Sequence, residues 1–153
     1  MAQEMSVGFN EATKIYIGVT NAEGAELEPG KVVEWETTTD DDDQGYAVEL
    51  VDAAISTTAG LGGHKCAGVV DSTIASGATG RLQIYGPDLV RASASLDVSK
   101  LVAAGSINAT NKGHVTTVTG HSDHGINYIE ALVGWTLENG PNATNSTVQL
   151  YLQ

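Results

Sequence analysis

Along most of the chain apolar residues recur at every second position, in short runs punctuated by Gly, Pro, Asn, Asp and Ser. That is the period of half-buried strands, not of helices. In "KIYIGV" the alternation puts Ile15, Ile17 and Val19 on one face, and "NAEGAELEPG" breaks it with Gly24, Pro29 and Gly30. "KVVEWET" aligns Val33, Trp35 and Thr37, and "TTTDDDDQG" stops it with a charge block that no buried ladder tolerates. "YAVELV" predicts the next strand, and "CAGVV", beyond the Gly-rich "TTAGLGGHK", is short and apolar enough for a buried one. "RLQIY" points Leu82 and Ile84 one way, "GPD" reads as a reversal, and "LVRASA" turns Val90, Ala92 and Ala94 inward, so a hairpin is predicted there. "HVTTVTG", "NYIEALVGWTLENG" and "TVQLYLQ" carry further strands, with Ala131, Val133, Trp135 and Leu137 on one face and Val148, Leu150 and Leu152 on another. "DVSKLVAAG" is the one helix candidate, about two turns from an Asp97 N-cap to Gly105.

These elements predict one all-β domain over residues 14–153, a compact β-sandwich or β-barrel-like fold with at most one short helix. Residues 1–13 lack periodicity and predict a flexible N-terminal arm that orders only where something holds it. The expected core comprises Ile17, Trp35, Val70, Leu82, Ile84, Val133, Trp135 and Leu150. A chain of 153 residues suffices for a core of its own, but only 5% of it is aromatic and 18 residues are glycine. A thin aliphatic core gains from further burial between copies, so an oligomer is expected.

Charge narrows the partners. Seven Lys and Arg against nineteen Asp and Glu give −12 at pH 7, which disfavours nucleic acid and anionic membrane surfaces. No window approaches the ~18 apolar residues of a membrane span, and "MAQEMSVGFNEATK" lacks the basic start and apolar run of a signal peptide. The sequons at Asn108, Asn142 and Asn145 are therefore read as chance matches. Cys66, the single cysteine, excludes an internal disulfide and is expected to pack as a small apolar residue.

Candidate chemistry is sparse. His114, His121 and His124, with Asp123, form a local cluster of metal-ligand types, and His64 stands apart, but the flanking "VTGHSDHGIN" reads as a solvated polar loop. Asp40 to Asp43 supply carboxylates without the spaced ligands and turn glycine of an EF-hand, so a solvated loop is expected there too. No GxSxG elbow or SxxK pair occurs, and "GLGGHK" matches neither GxxxxGK[ST] nor GxGxxG. No catalytic residue, cofactor or metal is assigned.

The passage "CAGVVDSTIASGATGRLQIYGPDLVRASA", with the ending "ALVGWTLENGPNATNSTVQLYLQ", resembles the capsid decoration (cement) proteins of tailed bacteriophages. The matching positions are Gly68 to Val70, Gly77, Gly80, Leu82, Ile84 and Gly86, then Gly134 to Glu138 and Val148 to Leu152, within a likeness running from about Val32 to the C-terminus. The arm and the Asp40–Asp43 run fall outside it. The resemblance implies a β-rich, non-enzymatic homotrimer on the outer surface of the mature head, bridging neighbouring major capsid proteins against DNA pressure. The expected capsid-binding residues are those of the arm: Met1, Ala2, Gln3, Glu4, Met5, Ser6, Val7, Gly8, Phe9 and Asn10. The rival is a carbohydrate-binding or tail-associated adhesion module, for which Trp35, Trp135 and Tyr151 are the candidate sugar platforms. A metal hydrolase built on the His loop ranks third.

Overall fold

The computed structural model describes residues 14–36, 46–51, 66–93, 96–97, 99, 101–104, 112–117, 132–137 and 147–152, with side chains left aside at 101, 103, 104, 116, 117, 132, 135 and 147–152. Nine strands run β1 Ile15–Asn21, β2 Val32–Trp35, β3 Ala47–Leu50, β4 Cys66–Val70, β5 Thr79–Arg91, β6 Leu101–Ala104, β7 Val115–Thr117, β8 Leu132–Thr136 and β9 Thr147–Leu152. The described residues contain no helix, hence none long and apolar enough to cross a membrane. The all-β prediction holds.

The first five strands close into a barrel in the order β1-β3-β2-β4-β5, with β5 returning to β1. The same sheet then continues from the second half of β5 through β9, β8 and β6 to β7, and a parallel bridge between Ala92 and Val115 brings β7 back beside the end of β5. Strand β5 belongs to both units: Thr79–Tyr85 pair with β1 and Leu82–Gln83 with β4, while Gly86–Arg91 pair with β9.

Two apolar clusters follow from this sharing. Val19, Leu27, Val33, Val48, Ala67, Val70, Ile74 and Leu82 fill the five-stranded barrel, with Ile17 and Trp35 packed against them. Val32, Val51, Val69, Val90, Ala92, Leu96, Val102, Val115 and Val133 form the second core. Adjacent residues of one strand thus serve different cores: Val32 and Val33 on β2, Val69 and Val70 on β4. The β2–β4 wall is buried on both faces, which is why "KVV" and "CAGVV" read as continuous apolar runs instead of alternating ones. Leu27 and Ile74 plug one end of the barrel, joined by reciprocal backbone bonds of 2.9 and 3.0 Å. Asn21 secures that plug, donating its Nδ2 to both Ala25 O and Ile74 O at 2.9 Å.

Two expectations are corrected. The helix over Asp97–Gly105 does not form; Leu101–Ala104 are strand β6, flanked by β7 and β8. Ser99 has φ +60°, incompatible with a helical turn, and its N–H donates to Thr136 O at 2.9 Å. Long-range pairing and the burial of Val102 override a weak local propensity. Nor does "GPD" reverse the chain. Gly86, at φ +94°, and Pro87 bend β5, which runs on as one strand because β9 receives its second half. Pro87 fits there because, among the described residues, β9 is the strand paired with that half and no strand on its other side needs the Pro87 N–H.

Within the expected core, Val70, Leu82 and Val133 are buried, whereas Ile17, Trp35 and Ile84 are half-buried. The side chains of Trp135 and Leu150 lie outside the described residues.

Candidate interaction surface

The bend in β5 is where the two units meet, and buried polar groups organise it. Gln83 is fully buried on the face opposite Leu82 and donates its Nε2 to Tyr85 O at 3.2 Å and Pro87 O at 3.0 Å, clasping the bend. Gln83 Oε1 and Asp88 Oδ2 are buried without a hydrogen-bond partner, while Asp88 Oδ1 accepts from Leu89 N–H at 2.9 Å. Burial pushes the Asp88 carboxyl above the ordinary carboxylate range and Asp71 adds to the push, against the Leu89 N–H and Lys14.

A carboxyl raised in the fold holds its proton more tightly there than in the unfolded chain. Its ionised form therefore destabilises the fold at neutral pH, and that penalty fades as pH falls through the folded value towards the ordinary one. Asp88→Asn is expected to raise the urea midpoint at pH 7, with wild type closing the gap in mild acid. A variant less stable than wild type at pH 7 would contradict this.

The second junction element is the turn before β7. Val32 N–H donates to Gly113 O at 2.7 Å and Gly113 N–H to Val51 O at 2.8 Å, inserting the turn between β2 and the end of β3. Lys31 Nζ donates to Lys112 O at 2.8 Å; burial and the Arg91 charge lower its pKa, with Glu28 opposing. Arg91 Nη1 lies 3.0 Å from Glu28 Oε2, and its Nε donates to Pro29 O at 3.2 Å. Lys31 and Arg91 thus fasten the junction.

The surface itself offers apolar and aromatic groups. Ile15 (46% exposed), Tyr46 (65%), Tyr85 (38%), Leu89 (56%) and Leu137 (41%) stand out, and Ile15 and Tyr85 are register partners across β1 and β5. Tyr46 borders an open pocket of about 360 Å³ formed with Gly18, Val19, Thr20, Thr79 and Gly80. Beside it the exposed Arg81 guanidinium lies 4.5 Å from the Tyr16 ring centroid and 2.6 Å from Asp71 Oδ2.

The expected capsid-binding residues Met1 to Asn10 lie outside the described residues, as do His64, His121, Asp123, His124 and Asp40–Asp43. His114, grouped by sequence with the polar His loop, is instead fully buried beside the Gly113 turn, its Nδ1 3.2 Å from Lys112 O. Among the described residues no three His, Cys, Asp or Glu side chains gather as metal ligands. Trp35 packs against the barrel core; Tyr46, which sequence reasoning did not single out, is the exposed aromatic beside the pocket. Only the turn preceding "YAVELV" hinted at an outward position for it.

Cys66 retains some exposed surface, but burial in apolar packing pushes its thiol up to about 12; the Gly68 backbone opposes this and Glu34 adds to it. In the folded protein Cys66 is expected to resist alkylation at pH 8 and to react only on unfolding. Stoichiometric labelling of native protein within minutes would contradict this.

No protein-family model matches the chain, and no curated protein does. Among solved structures, the N base of the head fiber protein gp8.5 of bacteriophage phi29 has a similar fold, with TM-score 0.55 and 11% identity over 92% of this chain and 95% of that one. At that identity the likeness establishes the fold alone.

Proposed function

We propose that this chain is a non-enzymatic structural protein of a tailed-phage head. The observation that carries the reading is the fold shared, over nearly the whole of both chains, with the base of a phage head fiber. It agrees with the decoration-protein resemblance of the sequence, which rests on separate grounds. In the fuller form of the proposal the protein is a homotrimer on the outer capsid surface that bridges neighbouring major capsid proteins, with Met1 to Asn10 as anchoring residues. Apolar and aromatic surface groups such as Tyr85 and Leu89 suit docking onto protein. Binding only the assembled shell stabilises it by about 2.7 kcal/mol per site at a hundredfold excess over Kd. Heads carrying the protein should therefore release DNA at a higher temperature than bare heads. Equal release temperatures would remove the stabilising role while leaving attachment open. The adhesion-module reading is supported by Tyr46 at its pocket, and a glycan array on wild type and Tyr46→Ala separates the two.

A further inference from the structure

The two units have the same strand plan. In the first barrel the strands, taken in chain order, pair first with third, third with second, second with fourth, fourth with fifth and fifth with first. In the second unit the end of β5 serves as the first strand, followed by β6, β7, β8 and β9, and the same pairs recur, the bridge between Ala92 and Val115 joining first and third. First and third are parallel in both, and every other pair is antiparallel.

Strand order alone can recur in unrelated small barrels, so the registers decide. Val33 stands opposite Gly68 and Glu34 opposite Cys66, skipping Ala67; Val102 stands opposite Gly134 and Ala103 opposite Leu132, skipping Val133. With Val33 matched to Val102, the β2–β3 and β6–β7 pairings match Val48 to Val115. In the other direction, Gly68 and Gly134 lead through β4–β5 and β8–β9 to Leu82 and Leu150, and then through β1–β5 and β5–β9 to Val19 and Val90. The circuit closes without slip: two residues further on, Asn21 pairs with Val48 and Ala92 with Val115.

The match extends beyond the strands. Ala22 N–H donates to Val48 O at 2.9 Å and Ser93 N–H to Val115 O at 3.0 Å, while Gly30 N–H donates to Val70 O and Ser99 N–H to Thr136 O, both at 2.9 Å. Gly30 has φ +79° and Ser99 φ +60°, so the one described non-glycine residue with a positive φ stands where the first unit has glycine. Val19, Leu27, Val33 and Val48 belong to the first core as Val90, Leu96, Val102 and Val115 belong to the second. The match breaks at the joint. Thr20 N–H donates to Tyr46 O at 2.7 Å, whereas the counterparts Arg91 N–H and Gly113 O bond to Gly30 O at 2.8 Å and Val32 N–H at 2.7 Å, where the first unit is inserted into the second.

We propose that the chain is an internal duplication: one five-stranded barrel present twice, with β5 ending the first copy and beginning the second. The inference concerns the chain itself and stands whether or not the protein binds a head.

A crystal structure of the full-length protein and one substitution test it. Superposing residues 15–85 on residues 86–152, with no pairing imposed, should bring Val19 onto Val90, Val33 onto Val102, Val48 onto Val115, Gly68 onto Gly134 and Leu82 onto Leu150. A best superposition that pairs the strands in another order, or is displaced by one residue in any strand, would overturn the proposal. Ser99→Gly places the first copy's residue in the second; Ser99 is exposed, so no packing is lost, and the urea midpoint should rise. A midpoint at or below that of wild type would show that Ser99 is not held as Gly30 is, and would likewise count against the duplication.

Discussion

Gly113→Ala is expected to destabilise the protein by about 2–5 kcal/mol, combining the strain of a left-handed residue that bears a side chain with the overpacking of a tight junction. Gly113 has φ +70°, and an added Cβ would lie 2.8 Å from Leu50 Cδ2 and 2.9 Å from Val32 O. The latter is a backbone atom of the shared wall and cannot swing aside. The same turn exchanges hydrogen bonds with Val32 and Val51, and Lys31 fastens it from the side, so displacing it loosens the second core from the barrel. Urea unfolding measures the loss, with Gly24→Ala as control: no atom comes within 4 Å of a Cβ there, and that variant should stay within about 0.5 kcal/mol of wild type. Equal midpoints for the two variants would mean that the Gly113 turn does not hold the units together.

Gly68→Ala should cost about as much, again roughly 2–5 kcal/mol, for a related reason. At φ +151° its Cβ would stand 2.9 Å from Gln83 O, 3.1 Å from Ile84 Cγ2 and 3.2 Å from Leu82 Cβ. Here β2 and β4 slip register, with Val33 opposite Gly68 but Glu34 opposite Cys66. That slip lets Ala67 join Val70 in the barrel core while Val69 turns to the other cluster. A side chain at Gly68 pushes β4 off β5 beside the Gln83 clasp. Denaturant unfolding should show the loss, and amides at the Val69–Gln83 pairing should exchange faster. A cost below about 1 kcal/mol would mean that β4 and β5 tolerate separation at this point.

How far the sequence disclosed this fold depends on whether each signal was local. The strands "IYIGV", "VVEW", "AVEL" and "TVQLYL" follow from period-two alternation and β-branched residues, and they form as expected. The loops around Leu27 and Ile74 were legible as breaks, but not as a plug, because their bridge joins residues 47 positions apart and has no local signature. The bend at Gly86–Pro87 and the reversal predicted there use the same residues; the choice between them is made by β9, some sixty positions downstream. The supposed helix lost for the same kind of reason, since β8 is what recruits Leu101–Ala103. At the candidate surface, nothing in "RLQIYGPD" announces that Gln83 is buried to clasp two carbonyls, nor in "NKGHV" that His114 packs behind a turn; both arise from tertiary contacts.

The head-binding account turns on whether the chain attaches to a capsid at all. The most direct measurement is co-sedimentation of labelled full-length protein, over a range of concentrations, with DNA-filled heads of the parent phage assembled without it. The account predicts saturable binding at a fixed ratio to the major capsid protein, competed by unlabelled chain and retained through a density gradient. Binding no greater than that of an unrelated acidic protein, at every concentration, would contradict it.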